Sequence, residues 1–183
     1  MAAGMAPRFL LLAVSLLLGG CATLNKGECQ TVDWHELGQR DGRDGHARAR
    51  LAEHAEACGK HGISPDAEAY FAGREIGLLY YCTPEAGFEA GLAGQPYRDV
   101  CPLDSERDFL REHERGYLIY QLRRQLEDLD RSIASLEAEL DQEDLDRETR
   151  NELRVTLREQ RRERRHLERE LLAAEIFLTP RTL

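Results

Sequence analysis

The sequence predicts an all-α protein in which a small, disulfide-stapled helical domain is followed by a long antiparallel helical hairpin of coiled-coil type. Three observations lead to this prediction. Apolar residues recur every three or four positions in the C-terminal part, all cysteines lie before residue 102, and no segment shows the alternation of a half-buried strand. The composition changes near residue 103, so we expect the small domain at 33–103 and the hairpin at 104–183.

The hairpin is predicted from two apolar seams. The first has spacings of 3, 4, 3, 4, 3, 4 and consists of Ile119, Leu122, Leu126, Leu129, Ile133, Leu136 and Leu140. The second runs over 153–178, has a polar centre at Gln160 and Arg164, and is out of phase with the first. A turn at 141–146, with Asp146 as the N-cap of the next helix, explains the phase break.

In such a hairpin Leu129 would lie near Leu157, and the stems of Gln160 and Arg164 would cover Leu126 and Leu122. The alternative is one continuous helix that pairs with a second chain.

The N-terminal part is rich in glycine, aromatic residues and cysteine. We expect short helices at about 34–44, 48–59, 66–81 and 85–93, with Ser64 and Pro65 marking a helix start. Glycine inside a helix costs roughly 1 kcal/mol relative to alanine, so close helix approach and disulfides must offset it. An internal echo relates the run Phe71, Gly73, Gly77, Cys82 to the run Phe88, Gly91, Gly94, Cys101.

The N-terminus is typical of a bacterial lipoprotein. Residues 1–20 combine Arg8, a short apolar run and small residues, which predicts an export signal rather than a membrane span. Cys21 would become the lipidated first residue, anchoring the chain through a tether at 21–32. Ala22, in place of Asp, favours the outer membrane, with the protein facing the periplasm.

Four further cysteines are expected to form two disulfides in an oxidising compartment. They are Cys29, Cys58, Cys82 and Cys101. Three pairings are possible, and nearest-neighbour pairing is the one we favour.

Function is less well defined by the residues. A net charge of −9 on an exported chain argues against nucleic-acid binding, and no nucleophile motif is present, so we expect no catalytic residues, no cofactor and no enzyme. We expect a structural or docking role, with the hairpin contacting an envelope protein. The alternative is a small-ligand or metal-binding module that uses His54, Cys58 and His61. Asp41 and Asp44 are interpreted as helix-end or turn residues.

A family resemblance follows from the spacing of particular residues. The pattern includes Gly73-Arg74-x2-Gly77-Leu78-x2-Tyr81-Cys82 and Val100-Cys101-Pro102, preceded by Cys29, Asp33-Trp34 and Cys58-x2-His61-Gly62. In order and spacing it resembles the bacterial lipoprotein family catalogued as domain of unknown function 2799, over about residues 21–183. The resemblance implies an envelope lipoprotein and no particular activity.

Overall fold

The computed structural model describes residues 23–179, and within this range the chain is all-helical, which confirms the predicted fold class. The seven helices are α1 (Lys26–Thr31), α2 (Trp34–Arg43), α3 (Arg50–Gly59), α4 (Ala67–Tyr81), α5 (Pro84–Leu92), α6 (Leu103–Leu140) and α7 (Arg147–Leu178). None of these helices is long and apolar enough to cross a membrane. The signal segment 1–20 and Cys21 lie outside the described residues.

The segment expected to be a tether is folded from Thr23 onward. Helix α1 begins with a capping box, in which Asn25 and Glu28 each accept a hydrogen bond from the other's backbone N–H. Leu24 and Cys29 are buried. The prediction of a tether at 21–32 is therefore wrong for residues 23–32, because an apolar side chain and a disulfide tie this segment to the core.

Helices α2 and α4 pack with their backbones in contact. A Cβ atom at Gly38 would overlap the carbonyl oxygen of Tyr70, and one at Gly73 would overlap the carbonyl oxygen of His35. Only glycine allows two helices to approach this closely. The N-cap of α4 is Asp66, whose side chain accepts from the N–H of Ala69, rather than the expected Ser64.

A second pair, formed by α5 and the first half of α6, repeats this packing in the same register. Cβ atoms at Gly87 and Gly91 would again overlap carbonyl oxygens of the partner helix. The equivalent residues of the two pairs are Gly38 and Gly87, Gly42 and Gly91, Gly45 and Gly94, Tyr70 and Phe109, Arg74 and His113, Gly77 and Gly116, and Tyr81 and Tyr120.

The repeat extends to the ends of the first helices. Gly45 and Gly94 have φ angles of 64° and 70°, which favour glycine. After each, a backbone N–H donates over 2.9 Å to the carbonyl five residues earlier. The side chain of Arg74 in one pair and of His113 in the other bonds the carbonyl one residue past that glycine, each at 2.7 Å. The internal echo therefore exists, but it relates α2 to α5 and α4 to α6 rather than α4 to α5.

Helix α6 belongs to both parts of the molecule. Its residue Phe109 is fully buried and lies against Tyr81 of α4, with ring centroids 4.9 Å apart. The helix begins at Leu103, at the expected domain boundary, and runs without a break to Leu140, so its first half packs with α5 and the remainder forms the hairpin. We call residues 23–120 the head and residues 121–179 the arm, and α6 runs through both.

The arm is the predicted hairpin. The chain turns between Leu140 and Arg147, and Asp146 caps α7 by accepting from the N–H groups of Glu148 and Thr149. No proline or glycine marks this turn, and the cap alone supplies the start signal.

The pairing of the two helices differs from the prediction. Leu129 lies beside Leu167 rather than Leu157, and Leu122 and Leu126 pack into an apolar cluster with Leu167 and the last turns of α7. The apolar part of α7 is thus matched to the apolar part of α6.

The polar centre of α7 lies instead against the acidic middle of α6. Arg161 bonds Glu137 at 2.6 Å, and Arg164 bonds Asp130 at 2.5 Å. Exposed ion pairs of this kind each contribute about 0–1 kcal/mol to the free energy of unfolding. They therefore favour this register over others more than they stabilise the hairpin.

We predict that Gly38→Ala lowers the free energy of unfolding by about 3 kcal/mol, because its Cβ meets backbone that cannot move without separating α2 from α4. The matched control is Gly59→Ala in α3, where no atom lies within 4 Å of the added Cβ. This control should be neutral or stabilising by up to about 1 kcal/mol. Urea unfolding followed by circular dichroism measures both, and equal midpoints for the two variants would contradict the backbone contact.

Candidate functional site

Both expected disulfides are present, with nearest-neighbour pairing. Cys29 bonds Cys58 and Cys82 bonds Cys101, and the Cα atoms of each pair are 5.5 Å apart. Each bond joins the chain before the first helix of a glycine-packed pair to the chain before the second helix. The disulfides therefore belong to the same internal repeat as the glycines.

The predicted metal constellation does not form. Cys58 is held in a disulfide and is not a thiolate, His61 is exposed, and both ring nitrogens of His54 are already engaged by protein oxygens. Among residues 23–179 no group of three or more His, Cys, Asp or Glu side chains could hold a metal ion. The interpretation of His54, Cys58 and His61 as metal ligands is therefore wrong.

His54 instead belongs to a buried polar cluster. Its Nε2 lies 2.8 Å from Oδ2 of Asp41, and the Tyr70 hydroxyl donates to the same oxygen over 2.6 Å. Its Nδ1 lies 2.7 Å from the hydroxyl of Thr23, at the start of the described chain. An ionised Asp41 can only accept, so Nε2 of His54 carries a hydrogen and donates it.

The charge of Asp41 is stabilised by these two donors. Burial is the largest single influence and raises the pKa of Asp41, but the hydrogen bonds from His54 and Tyr70 outweigh it and leave the pKa below its ordinary value. Burial and the bond to Asp41 raise the pKa of the Tyr70 hydroxyl, which therefore remains a donor. The cluster consists of a carboxylate with two fixed donors.

The internal repeat shows that the fold does not require this cluster. Ala90 and Phe109 occupy the positions of Asp41 and Tyr70 in the second pair, and α5 and α6 pack equally closely around them. No helix equivalent to α3, and hence no counterpart of His54, intervenes between α5 and α6. The cluster is a feature added to the first pair.

Exposure limits what the cluster can do. Tyr70 is 0% and His54 2% exposed, so a substrate cannot reach the histidine without opening the head. What the arrangement does is tie the N-terminal segment, through Thr23, to α2, α3 and α4. Its role is to position residue 23 on the head.

A second buried charge lies one helical turn from Tyr70 on α4. Arg74 is 4% exposed, and its Nε and Nη2 donate to the carbonyl oxygen of His46 over 3.1 and 2.7 Å. Burial lowers the pKa of this guanidinium. The other two buried charged groups each have a basic side chain as partner: Asp41 is bonded to His54, and Glu112 is bonded to Arg115. Arg74 has only a neutral carbonyl.

The sequence did not indicate the roles of Asp41, Tyr70, Thr23 or Arg74. Asp41 lies in the last turn of α2 and Asp44 is its C-cap, which agrees with their interpretation as helix-end residues, but the buried hydrogen bonds of Asp41 were not predicted. The position of Asp41 in the sequence could have indicated its burial, because it lies between Gly38 and Gly42 on the helix face that packs against α4. An acidic residue on such a face must be paired.

These features define a class of protein: a head of two disulfide-linked, glycine-packed helix pairs that continues into a helical arm. Residues 33–118, a little under half of the chain, match the family model described as a protein of unknown function, DUF2799. The match confirms the resemblance to that family over these residues, which include both glycine-packed pairs but not the arm. No curated protein and no solved structure matches the chain.

We predict that Asp41→Asn lowers the free energy of unfolding by about 1–3 kcal/mol at pH 7, because the carboxylate that two buried donors share is lost. The pKa of Asp41 is lower in the folded chain than its ordinary value of 3.8, so its contribution is present above that value and is lost as the pH falls through the folded pKa. The stability gap between the two proteins should therefore narrow in acid.

Urea titrations between about pH 3 and pH 7 measure this gap. Asp44→Asn, an exposed residue at the end of the same helix, is the control and should change stability little at any pH. A gap for Asp41→Asn that stays constant down to the acid limit would contradict the role of its charge.

Proposed function

We propose that the protein is a lipid-anchored component of the bacterial outer membrane that faces the periplasm and docks another envelope protein through its arm. The proposal joins an anchor at Cys21 to a helical arm by way of the glycine-packed head. Two disulfides support an oxidising compartment, which agrees with export.

The close spacing of anchor and fold supports a head that sits at the membrane surface. Thr23, two residues after Cys21, is hydrogen-bonded to buried His54, and Leu24 is itself buried. A lipid on Cys21 would therefore hold the head within a few residues' length of the bilayer, about 3.3–3.6 Å per residue. A short connection of this kind orients the head as well as retaining it.

The observation that most favours docking is the isolation of the arm. Helix α7 packs along α6 and has no other extended helix partner among the described residues. Its 32 residues correspond to about 48 Å of helix at 1.5 Å per residue. The outer part of the arm contributes nothing to the core of the head, so its role lies in what it contacts outside this chain.

We expect Cys21→Ser to release the protein from the outer membrane. Cells expressing either form are labelled with an alkyne fatty acid, and inner and outer membranes are separated on a density gradient. The unaltered protein should carry label and sediment with the outer membrane, while Cys21→Ser should be unlabelled and soluble in the periplasm. Cys82→Ser, which removes a disulfide cysteine instead, controls for loss of a cysteine and should remain labelled, and equal labelling of all three forms would contradict the anchor.

The docking role predicts that a photocrosslinking amino acid at exposed arm positions captures one partner of a single size. Suitable positions are Arg124 on α6 and Arg158 on α7, with exposed Lys60 of the head as the comparison. Leu157→Asp, which puts a charge into the buried seam, should abolish the adduct, while Val155→Asp, on the exposed face, should preserve it. Adducts only from Lys60, or adducts that survive Leu157→Asp, would contradict docking through the arm.

A further inference from the structure

An open cavity of about 530 Å³ lies beside α3 in the head, and its lining is rich in arginine. Arg48, Arg74 and Arg98 all line it. Arg74 is buried, as described above, and its Nη1 makes no hydrogen bond to any described residue. The chain as a whole has a net charge of −9, but the three arginines that line this cavity concentrate positive charge there.

The carboxylates near this cavity do not neutralise the arginines. Glu75 and Asp99 also line it, but neither forms an ion pair with any of the three, and within residues 23–179 these arginines have no ion-pair partner. Arg48 lies over the ring of Phe71, with its guanidinium carbon 4.1 Å from the ring centroid. The Nη1 of Arg74 is available to an anion in the cavity, which would supply the charge-assisted hydrogen bond that this guanidinium lacks.

Two helix N-termini open at the same place. Of the seven helices in the described chain, five have an N-cap side chain that accepts a hydrogen bond; the two that lack one are α3, preceded by Ala49, and α6, preceded by Pro102. Both Ala49 and Pro102 line this cavity. The N–H groups of the first three residues of α3 donate to the carbonyls of residues 47–49, and those of Ser105 and Glu106 donate to Pro102. At these two helix starts, the N–H groups left without a partner among the described residues are those of residues 47–49 and of Leu103 and Asp104. The partial positive charge of a helix N-terminus favours an anion at these groups.

The loop that carries Arg98 is held in place by its neighbours. The hydroxyl of Tyr97 accepts from the N–H of Cys101 over 3.0 Å and donates to Glu106 over 2.9 Å, and Cys101 is fixed by its disulfide. Arg98 itself reaches back to the carbonyl oxygen of Gly45 at 3.4 Å. The loop that carries Arg98 and the buried Arg74 are therefore held in place before any ligand arrives, which favours binding, whereas the side chains of Arg48 and Arg98 are exposed.

We propose that this cavity is a binding site for a phosphate group, held by Arg74, Arg98 and Arg48 and by the free N–H groups of residues 47–49 and of Leu103 and Asp104. The planar guanidinium fork matches a tetrahedral oxyanion, and the volume admits a phosphate that is part of a larger molecule. The phosphate belongs either to a lipid headgroup or to a soluble compound. This site rests on neither the lipid anchor nor the docking role of the arm.

The first test uses the full mature chain with both disulfides intact and inorganic phosphate as the probe. Isothermal titration calorimetry at low ionic strength should show saturable binding, and the backbone amide resonances of residues 47–49 should shift. Arg98→Gln should weaken binding at least about tenfold, as for loss of one charge-assisted hydrogen bond. The matched control is Arg40→Gln, an exposed head arginine outside the cavity, which should bind as the unaltered chain does.

A second variant separates binding from folding. Ala49→Asp places a carboxylate at the start of α3, where it should abolish phosphate binding while the helix dipole keeps the chain folded, with an unchanged or higher melting temperature. The absence of saturable binding to the unaltered chain would overturn the proposal. Phosphate binding by Arg98→Gln and Ala49→Asp that equals that of the unaltered chain would also overturn it.

Vesicles distinguish the two sources of phosphate. The chain with Cys21→Ser is mixed with phosphatidylcholine vesicles that contain or lack phosphatidic acid. Retention that requires phosphatidic acid, is lost in Arg98→Gln and is displaced by inorganic phosphate identifies a lipid headgroup. Binding of inorganic phosphate with no retention on vesicles identifies a soluble phosphate compound, and either result supports the site.

Discussion

Backbone-to-backbone contact between helices is the constraint on which the rest of the head depends. Gly38 and Gly73 in one pair, and Gly91 in the other, place a Cα where any side chain would strike a carbonyl oxygen. Such contact fixes the axial register of each pair, because a shift of one residue would replace a glycine by a larger side chain. The glycines lower the intrinsic stability of their helices, and the disulfides offset this by constraining the unfolded chain. The spacing of the glycines thus determines which residues face which across each pair.

The two pairs show which features are required and which are added. Ala90 and Phe109 demonstrate that the packing works with an apolar centre, so Asp41 and Tyr70 serve another purpose in the first pair. Helix α3, which only the first pair contains, supplies His54 to the cluster and Ala49 to the arginine-lined cavity. One inserted helix therefore brings both the buried cluster and the cavity to the same end of the head.

The sequence predicted those features that depend on local pattern or simple counting. The 3,4 spacing of the seams predicted the helical arm, the cap at Asp146 predicted its turn, and the even set of four cysteines after Cys21 predicted the two disulfides. The sequence did not predict α1, because a six-residue helix is stabilised by the burial of Leu24 and by the Cys29 disulfide rather than by its own propensity. The register of the arm was not predicted because it depends on which apolar stretches of the two helices pack together. The role of Asp41 was not predicted because an Asp-Gly pair is more typical of turns than of a buried helix face.

The continuity of α6 has a mechanical consequence. One helix of 38 residues, about 57 Å long, runs from Leu103 past the buried ring of Phe109 to the tip of the arm without a proline or a break. A sideways load at the tip is therefore transmitted as a lever onto the contact of Gly91 and Gly116 with their partner helix. The two pairs are joined by a connection of two residues, Cys82 and Thr83, and α4 and α5 have little contact with each other. A force on the arm would therefore rotate one glycine-packed pair against the other about the contact between the rings of Tyr81 and Phe109.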